Sequence, residues 1–157
     1  MRMRNLFFLV LGLVIIFGSI FLVFRKDLIN ENQVKVIKVG EVSIQVEVVN
    51  TLETRARGLS GRKSLAENMG MLFVFDQSGK YGFWMKDMNF AIDIVWIDEG
   101  LQVIGITKEV TPETFPEVFY PPGPVRYVLE LPSGKSRDFG IDIDQVVFLG
   151  TQSTQSE

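Results

Sequence analysis

The chain has 157 residues with a formal net charge of −3 at pH 7, and it contains no histidine and no cysteine. These absences exclude disulfides, thiolate nucleophiles, Ser-His-Asp arrangements and the zinc sites built from His and Cys. With Arg2, Arg4, Arg25 and Lys26 set aside, residues 27–157 carry 12 basic and 19 acidic side chains, a net charge of −7. Because an acidic domain repels phosphate backbones, we expect no nucleic-acid partner.

The N-terminal segment contains an uncharged run of 19 residues, from Leu6 to Phe24. A helix of this length, at about 1.5 Å per residue, nearly matches a bilayer core of roughly 30 Å. The alternative is a cleaved signal peptide, whose apolar region is only about 7–15 residues long. We therefore predict a cytoplasmic stub and transmembrane signal anchor over residues 1–24, with the lipid bilayer as partner through residues 6–24.

Basic residues flank this run on both sides. Arg2 and Arg4 precede it together with the α-amino group, whereas Arg25 and Lys26 follow and are offset by Asp27. Because cytoplasmic flanks are enriched in Lys and Arg, this balance favours a cytoplasmic N-terminus. We expect a single-pass protein whose globular domain lies outside the cytoplasm, joined to the anchor by a linker over residues 25–33.

The globular domain begins with a hairpin signal. Residues 34–39 are followed by a Gly40-Glu41 turn and by residues 42–48, in which apolar and polar side chains alternate. Strict alternation is typical of a half-buried strand, and a two-residue turn that starts with Gly suits a hairpin. Further apolar runs predict strands over residues 70–76, 83–86, 92–97, 101–107, 125–131 and 146–149.

Between these strands the sequence predicts short helices and turns. Asn50 can cap a two-turn helix with Glu53 in the capping box, and Gly58 can end it. A second helical turn can start at Ser64, and another can lie over residues 136–140. In the Asp98-Glu99-Gly100 turn, the glycine is expected at the left-handed position.

Two segments lie outside this regular pattern. Residues 111–124 hold five of the six prolines, and their aromatic residues favour either a segment packed down by its own side chains or the wall of a groove. Residues 150–157 form a polar tail that we expect to be disordered. The sequence thus predicts a mostly β (α+β) domain over residues 34–149. It is a small antiparallel β barrel or sandwich with one or two short helices, preceded by one transmembrane helix.

Several short motifs coincide in order along this domain. They are Arg57-Gly58-Leu59, Gly70-Met71-Leu72-Phe73-Val74-Phe75, Phe83-Trp84-Met85-Lys86, Ile92-Asp93-Ile94 and Arg126-Tyr127-Val128-Leu129-Glu130-Leu131. Over roughly residues 34–149 the chain resembles the family known as domain of unknown function 192. The resemblance implies a small β-rich domain with short helices, often exported or tethered to a membrane, and it implies no reaction. The family usually has Asn-Thr where this chain has Asp87-Met88, and Gly-Asp where it has Asp144-Gln145.

Asp93 and Glu130 are carboxylates inside apolar runs, where a charge is costly unless it is paired. If they converge in a cleft about 5–10 Å apart, they could act as the acid and the base or nucleophile of glycoside hydrolysis. Alternatively, each forms a structural pair with a basic residue, and the candidate partners in the sequence are Arg57, Arg62 and Lys86.

Three functions follow from these residues. The first is a binding or accessory module of the cell envelope, whose groove binds an envelope carbohydrate or a small anionic ligand. The second is a carboxylate-dependent hydrolase of envelope polysaccharide that uses Asp93 and Glu130, and the third is a purely structural domain. Because the chain lacks histidine, the usual base near neutral pH, we favour binding over catalysis and expect neither a metal nor a cofactor. The candidate ligand-binding residues are Arg57, Arg62, Trp84, Lys86 and Asp93.

Overall fold

The computed structural model describes residues 34–150, which form a mostly β domain with two short α-helices. The predicted transmembrane helix, the linker and all of the predicted tail except Gly150 lie outside the described residues. Within the described part, no helix is both long enough and apolar enough to cross a bilayer. The elements are β1 (Val34–Val39), β2 (Val42–Val49), α1 (Leu52–Arg57), β3 (Met69–Gly79), β4 (Phe83–Trp84), β5 (Ile92–Ile97), β6 (Val103–Val110), a 3-10 turn (Pro112–Thr114), β7 (Val118–Phe119), β8 (Val125–Pro132), α2 (Lys135–Asp138) and β9 (Val147–Leu149).

Seven strands form one curled sheet in the order β6-β5-β8-β3-β2-β1-β9, and β4 and β7 form a separate two-stranded ribbon. The two edges of the large sheet meet near one end, where Gln102 and Val146 form an isolated bridge. Val147 N donates to Leu101 O at 2.8 Å, and Val103 N donates to Gln145 O at 2.9 Å. These bonds close the sheet into a half-barrel and shield part of both edges.

One strand pair departs from the antiparallel prediction, because β2 and β3 run parallel. A hairpin cannot join parallel strands, which need a long crossover connection. Here α1 and the segment after it, residues 52–68, supply that crossover. The same crossover places α1 against the face of the sheet that carries the candidate site.

Three local predictions are wrong. The N-cap of α1 is Thr51, which exchanges hydrogen bonds with Thr54, so the capping box lies one residue later than the Asn50–Glu53 prediction. In the β5–β6 turn, the left-handed residue is Leu101 rather than Gly100. The Asp98 side chain closes this turn, because its Oδ1 accepts a hydrogen bond from Gln102 N at 2.8 Å. The left-handed residue is therefore Leu101, directly before Gln102. Residues 64–68 form no helix.

The core consists of two apolar clusters, one on each face of the sheet. Strand β5 contributes to both clusters, since all six of its residues are buried. The inner cluster lies inside the curl and includes Val95, Ile97, Leu129 and Leu131, packed with residues of β1, β2 and β9. The outer cluster includes Met71, Phe73, Ile94 and Trp96, and it is covered by the segments around α1 and β4.

Candidate ligand-binding groove

An open groove of about 700 Å³ lies on the outer face of the sheet. From the sheet, it is lined by Phe73, Phe75, Asp76, Gln77 and Glu130. The other lining residues come from α1 with the Gly58–Ser60 segment after it, and from the segment that runs through Tyr81 and β4 to Met88. The groove therefore lies between α1 and β4, over a floor of aromatic rings.

The Arg57-Gly58-Leu59 motif shapes the α1 side of this groove. Gly58 ends the helix with a φ of 47°, a left-handed value that favours glycine. A Cβ at this position would lie 3.2 Å from the ring of Phe73, so glycine also permits close packing on the floor. The next residue, Leu59, is buried in the outer cluster. Arg57 lines the groove while its guanidinium pairs with Glu53 at 3.2 Å.

The Phe83-Trp84-Met85-Lys86 motif forms the opposite side. Phe83 lies edge-on to Phe73 and Trp96, with ring centroids 5.0 and 5.5 Å away, and Met85 is buried. Trp84 points the other way and keeps 55% of its surface exposed, with Lys86 Nζ 5.9 Å above its ring. The alternation of strand side chains thus places one aromatic residue in the floor and one at the rim.

Two hydrogen bonds to backbone carbonyls join the two sides of the groove. Ser60 Oγ donates to Lys86 O at 2.9 Å, and Gly61 N donates to Asp87 O at 2.8 Å. Asp87 has a φ of 57°, and Asp, like the Asn usual in the family, tolerates this left-handed conformation better than most residues. Replacement of Asn by Asp at this position therefore preserves the backbone that closes this end of the groove.

A stack of three side chains forms the rim beside Asp76. The rings of Phe75 and Tyr81 are parallel within 7°, with centroids 3.6 Å apart, and the Arg55 guanidinium lies 5.1 Å from the Phe75 centroid. Arg55 also donates to Val74 O at 2.9 Å and to Asn50 O. The Arg55 guanidinium therefore already interacts with two backbone carbonyls and with the Phe75 ring, and it is not available to bind a ligand.

Arg62 pairs with Glu47 rather than lining the groove. Its Nη1 and Nη2 donate to the two carboxylate oxygens of Glu47, each at 2.7 Å, the bidentate geometry favoured by Arg and carboxylate. These hydrogen bonds lower the pKa of Glu47 and raise the pKa of Arg62. The sequence predicts Arg62 as a partner of Asp93 or Glu130, but its ion pair is instead with Glu47, which is only half-buried.

Asp93 lies on the inner face, fully buried and tied to α2. Its Oδ2 accepts from Ser136 N at 2.9 Å and from Ser136 Oγ at 2.7 Å, and its Oδ1 accepts from Glu109 N at 2.8 Å. Burial raises the pKa of Asp93, but these hydrogen bonds, with a contribution from Gly134, outweigh it and hold the pKa below its usual range. Uncharged donors therefore satisfy this carboxylate, and neither Arg57 nor Lys86 forms an ion pair with it within the described residues.

Glu130 lies on the outer face of β8, only 6% exposed, and lines the groove. In the sheet register Glu130 is opposite Ile94, whereas Asp93 is opposite Leu131. Because successive strand residues point to opposite faces, Asp93 and Glu130 lie on opposite sides of the sheet. Of the predicted residues, the structure brings Arg57, Trp84 and Glu130 to one groove. It places Arg62 and Lys86 outside the lining and Asp93 on the other face.

The aromatic floor and the stack on Phe75 were not predicted from the sequence. Phe73 and Phe75 alternate along β3, which was the available signal, but only the fold shows that their face is partly uncovered. No group of three or more carboxylates within residues 34–150 is arranged to hold a metal ion. The groove therefore offers aromatic surface, paired arginines and one buried carboxyl.

Residues 34–149 match the sequence model of a family described as uncharacterised ACR, domain of unknown function 192. A comparison with the curated proteins found no match. A solved structure from Sinorhizobium meliloti, described as a "putative transcription regulator", is similar with a TM-score of 0.70 and 23% identity, covering 74% of this chain and 94% of that one. A protein of unknown function from Novosphingobium aromaticivorans has a TM-score of 0.70 and 24% identity, covering 76% and 87%. At these identities the likeness shows the fold alone.

Proposed function

The chain belongs to the family of domain of unknown function 192, and from this premise we propose that it is a membrane-tethered binding module of the cell envelope. Its outer groove binds a small envelope molecule. The observation that carries the proposal is the groove of about 700 Å³ over Phe73, Phe75 and Glu130. Carbohydrate and small anions are the candidate ligands.

The size and lining of the groove support this function. Small-molecule sites are concave, have volumes of about 300–1,000 Å³, and combine apolar and aromatic walls with a few polar groups. The groove has aromatic rings on its floor and rim, and Ser60, Gln77 and Glu130 supply polar atoms. A purely structural role gives no reason to place an acidic side chain beneath an open groove, where burial of its charge is costly.

Hydrolysis by Asp93 and Glu130 lacks the geometry it needs. The two carboxyl groups of a glycosidase flank one bond in one cleft, whereas these two lie on opposite faces of the sheet. In addition, the hydrogen bonds from Ser136 and Glu109 occupy Asp93. We therefore propose binding and not hydrolysis.

The tether is the proposed transmembrane segment at residues 6–24, and the domain is proposed to lie outside the cytoplasm. We expect a protease added to intact cells, with any outer membrane made permeable, to remove an epitope tag placed after Glu157. The excess of positive charge at the N-terminus is the reason for this orientation. Protection of the tag until the inner membrane is lysed would contradict it.

Ala56 offers a direct test of the groove, because it is exposed on α1 and lines the groove without packing in the core. We expect Ala56→Trp to fill the groove and abolish ligand capture by the full-length chain. The measurement is mass spectrometry of molecules retained by the purified protein from a small-molecule extract of the source cells.

Ala66→Trp is the matched control, since Ala66 is also exposed but does not line the groove. The proposal predicts that wild type and Ala66→Trp retain the same molecule and that Ala56→Trp loses it, with equal melting temperatures. Equal retention by all three proteins, or none by wild type, would show that the groove is not a ligand site.

A further inference from the structure

Glu130 is a buried acid with an unused hydrogen-bonding atom. Its Oε2 is inaccessible to solvent and has no hydrogen-bond partner among residues 34–150. No described cation lies within ion-pair distance of its carboxyl group, because the nearby Arg62 is held by both oxygens of Glu47. Native structures rarely leave such an atom without a partner, so this one requires an explanation.

The charge state of Glu130 follows from its surroundings. Burial raises the pKa of Glu130 to about 8, and the positive charge of Arg62 offsets only part of that rise. The carboxyl group is therefore protonated at neutral pH and has an O–H to donate. Charged groups surround Glu130 on several elements. Glu47 lies on β2, Arg62 on the segment after α1, and Arg126 on β8 itself. At the groove rim, Arg55 and Arg57 lie on α1 and Asp76 lies on β3.

The arginines that line the groove already have partners. Arg55 is bound to backbone carbonyls and Arg57 to Glu53. A cationic ligand would therefore meet arginines, and an anionic one would lose its hydration over phenylalanine rings without gaining a free guanidinium. An uncharged group that accepts a hydrogen bond has neither disadvantage.

Resting on the proposed function of this groove, we propose that its ligand has an apolar or aromatic body and an uncharged hydrogen-bond-accepting oxygen, such as a carbonyl. Glu130 lines the groove with the 6% of its surface that remains exposed, and its carboxylic acid donates a hydrogen bond to this oxygen from there. Of the two candidate ligand classes, this argues against the small anion. Phe73 and Phe83 provide the surface that contacts the apolar body.

A matched set of small probes tests this proposal: benzamide is uncharged with a carbonyl, benzoate is an anion and benzylamine is a cation. Their dissociation constants are measured by ligand-observed NMR with the full-length chain at pH 6 and pH 9. We expect benzamide to bind most tightly at pH 6 and about tenfold more weakly at pH 9, one unit above the pKa of about 8. Tighter binding of benzylamine at pH 9, or tightest binding of benzoate, would overturn the uncharged class.

Two variants at Glu130 distinguish the effect of its hydrogen-bond donor from the effect of its side-chain size. Glu130→Gln retains an N–H donor, so we expect it to bind benzamide equally well at both pH values. Glu130→Met has similar length but no donor, so we expect at least tenfold weaker binding at pH 6. Unchanged binding by Glu130→Met would contradict donation by Glu130, whereas equal binding of every probe by Ala56→Trp would contradict the groove itself and hence the proposed function.

Discussion

Replacing Asp93 by alanine is expected to lower the free energy of unfolding by about 4 kcal/mol at pH 7. The carboxylate accepts three hydrogen bonds in a fully buried position, so its removal leaves Ser136 N–H and Glu109 N–H without their acceptor. Loss of one partner of such a buried charged network typically costs about 3–5 kcal/mol. Chemical denaturation of the full-length chain measures this difference.

Asp142→Ala is the control, because Asp142 is exposed, and we expect a change within about 0.5 kcal/mol. Asp93→Asn should fall between the two variants, since it keeps one acceptor oxygen but turns an amide N–H₂ toward donors. None of the three should alter benzamide binding, because Asp93 faces away from the groove. A loss of binding without a loss of stability would show that Asp93 belongs to a functional site.

The pH dependence of the Asp93 effect has a defined sign. Because the folded-state pKa is lowered, the stabilisation by Asp93 is present above its unfolded pKa of about 4 and is lost as the pH falls through the folded value. The difference in unfolding free energy between wild type and Asp93→Ala should therefore shrink below pH 4.

Glu130→Gln is expected to stabilise the protein at neutral and alkaline pH. The folded-state pKa of about 8 lies above the ordinary value of 4.5, so wild type loses stability as the pH rises from about 4.5 to 8. At 1.36 kcal/mol per pH unit, this loss amounts to about 3 kcal/mol at pH 7. Gln has no charge to bury, and we expect the two proteins to be equally stable at pH 4. Denaturation curves collected from pH 4 to pH 9 measure the effect.

Glu117→Gln controls for the loss of one negative charge, because Glu117 is exposed, and it should change stability by less than about 0.5 kcal/mol at any of these pH values. If Glu130→Gln instead destabilised the protein across the whole range, the carboxyl would have a structural partner and the argument for a ligand would fail. A residue retained although it lowers stability is typical of a functional site.

These two carboxylates, similar in sequence context, therefore have opposite roles. Asp93 lies where backbone and hydroxyl donors converge, so it stabilises the fold as a charged acceptor. Glu130 lies over apolar rings with no donor of its own, so it remains a neutral acid that destabilises the fold at high pH. Their environments, rather than their residue types, determine this difference.

Local pattern was sufficient to predict most of the strands. The alternation over residues 42–48 and the apolar run over residues 92–97 correspond to β2 and β5. The alternation of apolar and polar residues that identifies a strand is visible in the strand's own sequence. The end of the short helix was likewise predictable from Gly58 alone. The family resemblance added the order of the motifs, but not the contacts between them.

The relation between Asp93 and Glu130 could not be predicted in the same way. Which face a strand residue occupies depends on register with its neighbours, and the pairing of Ile94 with Glu130 is not encoded in a local spacing. Arg62 is near enough to Glu130 for its positive charge to lower the pKa of Glu130, yet its ion pair is with Glu47 on another strand. Local sequence gives no sign of this choice of partner. The groove itself arises where the crossover through α1 leaves part of β3 uncovered.

Backbone and side-chain NMR during a benzamide titration tests the ligand groove most directly, because it locates the bound molecule on the full-length chain. The account predicts that shift changes cluster at Ser60, Tyr81, Trp84 and the Glu130 carboxyl carbon, and that Ala56→Trp removes them. Shift changes centred on the inner face around Asp93 and Ser136, or none at the Glu130 carboxyl, would contradict it.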